Sequence, residues 1–483
     1  MKSTLAKRSE PEGSGEALPK DSYKRLKSIH GDKASSKHHA LCNEAACPGC
    51  STGEVEICFV GSSAGGESRA ISPTAADLYR MALEERDGVS GEAEPSGLKI
   101  KWKGMEAEDK DSEAKRKIII KLFEMGVEKF ASETGIPIKA PEVNGSKLST
   151  TVAPKNGAPN ARDLNARLMF ASCMLDFGCY LPLSLYIQRS VDLFTECIQI
   201  LEGAGTAYLS TWGASAAQFG LGRAKMELVR SRYTDLINED DDHENGNGDS
   251  HYVIPQDELA LVESAKATLA TGLASVKNDA EAYARQCIYA AGLFRDYAAV
   301  QRQRPTSKRS STNLLSTLRT ALDYLQQAES ASGPSVTSNV RALGLRGACL
   351  YYLADHYANG EAESDKKETS QYVTEAEAAL KSAVTLWDEM PDKQDEHGTE
   401  YLQLWGQTLI LLSTIEPDEE EAVQYFETGV STLKRAYQLD PGNEDLEEQL
   451  EMLGAMDGGH GDEDEEASLH GDENGHGQEQ EQE

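Results

Sequence analysis

Apolar residues recur three and four positions apart through most of the chain between residues 71 and 456, and this spacing predicts helices. Ala and Leu dominate these stretches, and period-two alternation of β-branched residues is read as absent. Ser72 and Pro73 open the first helix as N-cap and first residue. Leu78, Met81 and Ala82 give it an apolar face, and Asp87-Gly88 stops it. A second helix is expected over about 112–131. Others follow near 161–181, 184–202, 207–233, 257–277, 279–300, 311–330, 336–358, 373–389, 399–414 and 418–439. Asn443–Leu453 reads as a capping helix, polar on its outer face.

Six of these helices share a triplet at i, i+4 and i+7, mostly small, large, small. They are Ile119/Phe123/Gly126, Ser190/Phe194/Cys197, Ala265/Leu269/Gly272, Ala321/Leu325/Ala328, Ala376/Leu380/Ala383 and Gly429/Leu433/Ala436. Longer loops, 135–160 and the acidic stretch 235–249, account for the wider spacing of the first three; the others recur at about 55 residues. The physical reading is a helical hairpin repeated five or six times. The small residues let helices approach, and the large one fills the groove between them.

The last unit, TGVSTLKRAYQLDPGN, resembles a tetratricopeptide repeat: Gly429, Leu433, Ala436 and Pro441 keep that family's spacing. Leu343-Gly344 resembles its first-helix Leu-Gly pair, but the period exceeds the usual ~34 residues. The expected fold is therefore all-α, a TPR-like helical-hairpin solenoid with disordered termini. Residues 1–70 form a disordered, slightly basic leader. Residues 71–456 form the repeat domain, with a disordered acidic insert at 235–250. Residues 457–483 form a disordered acidic tail.

Charge sharpens this division. The 483 residues carry 48 Lys+Arg against 81 Asp+Glu, a net charge of −33. Asp235–Asp249 and 457–483 carry seven and eleven acids with no Lys or Arg, more than half of that net charge. Such stretches lack the apolar surface that offsets ordering entropy. The acid excess argues against direct nucleic-acid binding, and the continuous apolar runs, such as Cys179–Leu185, are too short to cross a bilayer.

Candidate chemistry is sparse. His38-His39 precede Cys42, Cys47, Cys50 and Cys58, and Cys47-Pro-Gly-Cys50 has the spacing of two zinc thiolates or a redox pair. The second Cys-x2-Cys of a standard finger is missing, so these four are metal candidates only, and no cofactor is expected. Cys173, Cys179, Cys197, Cys287 and Cys349 sit in apolar segments and read as reduced core thiols. His460, His470 and His476 belong to the solvated tail; His251 and His356 stand alone. Lys24-Arg25-Leu26-Lys27 reads as a nuclear import signal or a plain basic cluster, and Lys115-Arg116-Lys117 as an exposed helix face. Arg302, Arg304, Lys308 and Arg309 read as a basic loop. Gly213, Gly220 and Gly222 read as close helix packing. The sequence is read as lacking a nucleophile elbow, and no Walker sequence or HExxH occurs in it, so no catalysis is expected.

This organisation over residues 110–456, with the C-terminal segment YQLDPGNEDLEEQLEML and a leader containing Ala6-Lys7-Arg8, resembles the fungal enhancer of translation termination family. The resemblance implies a non-enzymatic adaptor in the nucleus, with the cytoplasm as a second location. Its implied roles are correct translation termination and regulation of hypoxic gene expression. The chain's own acidity favours a basic protein partner, and the resemblance implies that it is a ribosome-associated protein or a 2-oxoglutarate dioxygenase. The alternatives are a TPR-type co-chaperone or general scaffold, and a zinc or redox protein built on Cys42–Cys58.

Overall fold

The structure is a computed structural model. It describes residues 56–62, 68–70, 72–87, 98–103, 112–139, 161–203, 211–241, 256–303, 311–333, 336, 338–358, 362–390 and 397–455. The fold is all-α and built of helical hairpins. The chain divides into two compact units, Met1–Asp279 and Ala280–Glu483.

The first unit holds α1 (Ala75–Asp87), α2 (Ser112–Thr134), α3 (Ala161–Tyr180), α4 (Ser184–Gly203), α5 (Thr211–Asp241) and α6 (Gln256–Val276). The second holds α7 (Ala280–Gln303), α8 (Ser311–Ser332), α9 (Val340–Ala358), α10 (Glu363–Glu389), α11 (Gly398–Ile415), α12 (Glu419–Leu439) and α13 (Glu444–Met452). Helices pack pairwise in chain order as six hairpins, α1/α2 through α11/α12, and α13 packs on the last. First helices of successive hairpins also touch: α3 with α5, α7 with α9, and α9 with α11. This serial stacking within each unit is the solenoid arrangement.

Every triplet lies on the second helix of its hairpin, and all its members are buried. The groove-filling role is visible at the glycines. A Cβ added at Gly222 of α5 would fall 2.5 Å from Cγ of Leu269, and one at Gly406 of α11 would fall 2.7 Å from Cγ of Leu433. Gly347 of α9 is in the same relation to Leu380, and Gly220 of α5 to Phe194 of the preceding hairpin. At the closest crossing, a Cβ on Gly429 would meet the Gly406 carbonyl at 2.9 Å, so backbone lies on backbone. Ser190 does the same by donating to the Ala171 carbonyl at 2.8 Å. Gly344 carries no Cβ because the Tyr401 ring of the next first helix occupies that space.

Unit 1 has a continuous apolar core from α1 to α5. In it Phe123 stacks on Phe177 with centroids 5.8 Å apart, and Tyr186 meets Phe177 edge-on at 4.9 Å. Among the described residues, α6 over Asp257–Val276 is the one helix long and apolar enough to cross a membrane. Its buried face is the Ala265/Leu269/Gly272 triplet seated on α5.

Three expectations need correction. First, a small antiparallel sheet is present: β1 (Glu56–Ser62) is flanked by β2 (Ser68–Ala70) and β3 (Leu98–Lys103), with Ile57 opposite Trp102. β1 and β2 lie within the stretch expected to be a disordered leader, and β3, LKIKWK, is a period-two pattern where alternation was read as absent. Second, α5 runs on to Asp241, so part of the insert expected to be disordered is helical. Third, α1 starts after Thr74 rather than Ser72. The Asp77 N–H donates to Thr74 Oγ1 at 3.2 Å and the Thr74 N–H to Asp77 Oδ2 at 3.1 Å, a reciprocal capping box that overrides the Pro73 signal.

Candidate functional site

Cys42, Cys47 and Cys50, the 24–27 cluster, His251 and the tail histidines lie outside the described residues. So does the side chain of Cys58, whose backbone belongs to β1. Among the described residues no group of His, Cys, Asp or Glu is arranged to hold a metal ion. Cys173, Cys197, Cys287 and Cys349 are buried and Cys179 half-buried, as free thiols. Burial pushes Cys197 and Cys349 up to about 12 and Cys287 to about 11, so these are packing thiols and not thiolate nucleophiles at neutral pH. Lys115 and Arg116 are exposed on α2, as expected.

Arg302 departs from the loop reading. It ends α7 as an interior charge, with Nη2 donating to Asp355 Oδ2 at 2.8 Å and its guanidinium 4.2 Å from the Tyr352 ring centroid. It belongs to a polar layer along the first helices of unit 2. In that layer buried Arg295 of α7 pairs with Glu400 of α11 through both guanidinium nitrogens, and its Nε lies 3.2 Å from Asp296. His397 Nδ1 lies 3.3 Å from Glu400 Oε2, the oxygen that also accepts from Arg295 Nη2.

Unit 1 has a counterpart. Asp176 of α3 is 3% exposed and accepts from Tyr79 Oη of α1 and from Arg223 Nη2 of α5, the latter at 2.6 Å, with Arg86 Nη1 3.7 Å away. A buried charge persists only when paired and hydrogen-bonded. Each layer therefore fixes the mutual setting of first helices rather than offering free groups for chemistry. Sequence reasoning missed both layers. The available signal was charge inside an apolar helical run: Asp176 alone in MLDFG, and Arg295 with Asp296 in GLFRDY.

The His397–Glu400 contact makes a pH prediction. The hydrogen bond to Glu400 raises His397 above its ordinary 6.5. Burial pushes the Glu400 carboxyl up, but His397 and Arg295 outweigh it and hold it below 4.5. A raised histidine contributes fully below 6.5 and loses its contribution as pH rises through its folded value. A depressed carboxylate contributes above 4.5 and loses it as pH falls through its folded value. The pair therefore stabilises most between these limits. The effect is small because over a third of the His397 side chain is exposed. Melting curves of His397→Gln should lack a small decline in stability that the parent shows as pH rises above 6.5. An identical decline in both would remove His397 as its source.

The surface of the last hairpin is the described region with the character of a recognition site. Val423 and Phe426 on α12 are 55% and 39% exposed, and Ile415 at the end of α11 is 37% exposed. Val423, Phe426 and half-buried Val430 fall along one side of α12 at helical spacing. Glu416, Asp418, Glu419, Glu420, Glu421 and Glu427 flank them, with no Lys or Arg before Lys434. Asp418 caps α12 by accepting from the Glu420 and Glu421 N–H groups at 3.0 and 3.1 Å, which accounts for it locally. The surrounding glutamates gain from the helix dipole at that end.

α13 begins at Asn443, whose side chain accepts from the Leu446 N–H at 3.1 Å, and buries Leu446 and Leu450. Gln407 Nε2 of α11 donates to Gln449 Oε1 at 2.9 Å. Its exposed side is not wholly polar, since Met452 is 75% exposed. No family model and no curated protein matches the sequence of this chain.

Proposed function

We propose that this chain is a non-enzymatic helical-repeat adaptor that holds a basic protein partner. In this reading it acts in the nucleus, in correct translation termination and in regulation of hypoxic gene expression. The observation that carries the adaptor part is the exposed face of the last hairpin, where apolar side chains lie beside the carboxylates gathered in the first half of α12. Serially stacked hairpins offer extended surfaces for a partner segment, and an acidic surface favours and steers a basic one. The cellular role rests on the resemblance of the chain's organisation to the enhancer of translation termination family. That resemblance adds a ribosome-associated protein or a 2-oxoglutarate dioxygenase as partner.

The competing co-chaperone reading needs unpaired Lys and Arg along the first helices to clamp an acidic peptide. Arg295 and Arg302 of α7 are instead neutralised by Glu400 and Asp355, which weighs against it. Affinity purification of the full chain followed by mass spectrometry of bound proteins tests the proposal. Recovery of a ribosome-linked protein or a dioxygenase is the expected outcome. Recovery of chaperones alone would replace this reading with the second. A zinc role for Cys42, Cys47, Cys50 and Cys58 would require stoichiometric zinc in the purified protein.

A further inference from the structure

We propose that the Val423/Phe426 face of α12 is the seat for a basic amphipathic helix of another protein, which docks where a seventh hairpin would continue the stack. This rests on the adaptor reading and assigns it a surface and a kind of ligand.

The stacking rule itself leaves the face open. In each earlier hairpin of unit 2 the second helix meets further helices of the chain; α10, for example, packs on both α9 and α11. After α12 only α13 remains among the described residues, and its nine residues at about 1.5 Å each reach along less than half of the twenty-one of α12. The short helix is stopped deliberately. Gly454 adopts φ +63°, its N–H donates to Glu451 O at 2.9 Å, and the Ala455 N–H donates to Leu450 O at 2.9 Å. That pair of bonds is a Schellman stop, and Ala455 buries itself as its apolar clasp. Val423 and Phe426 stay exposed, although the i, i+3, i+7 pattern they form with Val430 is the pattern that buries a helix elsewhere in the chain.

Charge decides between the occupants. The chain's own tail, 457–483, carries eleven acids, no Lys or Arg, and Leu469 as its one large apolar side chain. It would bring like charge onto Glu419, Glu420 and Glu427 with little to bury. A second copy in a two-fold contact would set this acidic rim against itself. A helix with apolar residues at i, i+3/i+4 and i+7, flanked by Lys or Arg, satisfies both the stripe and the rim. It is the helix-in-groove mode of peptide recognition.

The test uses the full chain and a fluorescent 18-residue helical peptide of Leu and Lys, with leucines along one face. Two comparison peptides are a scrambled version without an apolar face and a version with Glu for Lys. Val423→Ser/Phe426→Ser, two exposed positions, should keep the parent melting temperature and weaken the amphipathic Lys peptide about tenfold or more. The scrambled and Glu peptides should bind the parent at least tenfold more weakly than the amphipathic Lys peptide. In a second variant, Glu419→Gln/Glu420→Gln/Glu427→Gln, binding should weaken and lose part of its salt dependence. Equal binding to parent and serine variant, or to ordered and scrambled peptide, would overturn the proposal. So would tight binding of the Glu peptide, or a parent dimer that the serine variant dissolves. If the peptide behaves as expected while the purification returns no ribosome-linked protein or dioxygenase, the surface stands and the cellular role falls.

Discussion

Asp176→Ala should destabilise the protein by about 3–5 kcal/mol, the cost of breaking a buried ion pair by deleting one partner. The carboxylate is almost fully enclosed and accepts from α1 and α5 at once. Its loss takes the carboxylate acceptor from the Arg223 guanidinium and the Tyr79 hydroxyl, and removes an opposite charge 3.7 Å from Arg86. Burial, with Asp176 beside it, raises the Tyr79 phenol above its ordinary value, so that hydroxyl stays a donor throughout the working range. Tyr79→Phe removes one donor and leaves the Arg223 pair, so it should cost about 1 kcal/mol. Urea titration of the two variants checks this ordering. A loss for Asp176→Ala no larger than for Tyr79→Phe would mean that the carboxylate is dispensable and does not anchor the three helices.

The second large effect concerns the hairpin seam. Leu380→Ala should cost about 2–5 kcal/mol, because Leu380 is fully buried and its side chain fills the space above Gly347. Gly347→Ala should cost about 1–3 kcal/mol by overpacking, since its new Cβ would run into the Leu380 side chain and lie 3.2 Å from the Leu380 nitrogen. The double variant is the informative one. Shortening the leucine makes room for the new methyl, so the combined loss should fall short of the sum by about 1 kcal/mol or more. Strict additivity would show that Leu380 is held by other neighbours and that the glycine marks no socket.

Much of this architecture is legible in the sequence, because the hairpin seam imposes size as well as apolarity. Gly429, Leu433 and Ala436 recur in kind at Ala376, Leu380 and Ala383, since backbones that touch admit small residues only. What sequence reasoning missed has three physical causes. Acid-rich composition argued for disorder at 235–241, yet Asp and Glu are tolerated on a helix that packing further up has already nucleated. The sheet strands are short and pair across distances that a local reading does not connect, as with Ile57 and Trp102. The charged layers depend on partners from three helices, so the apolar runs around Asp176 and Arg295 mark them as interior but do not reveal their partners. The exposed side of α12 was hidden for a further reason. Val423 and Phe426 match the helical period of a core face, so the pattern alone does not mark them as exposed.

Pairing of helices strictly in chain order also bears on how the protein is made. Within each unit a helix leaving the ribosome finds its hairpin partner as soon as the next helix is synthesised. Only three residues separate α3 from α4, and three separate α11 from α12. Contacts made mostly between neighbours give low contact order, even though Arg295 of α7 reaches Glu400 of α11 two hairpins on, and stacked repeats can grow from whichever hairpin forms first. Early hairpins can therefore settle during synthesis while the rest of the chain is still being translated.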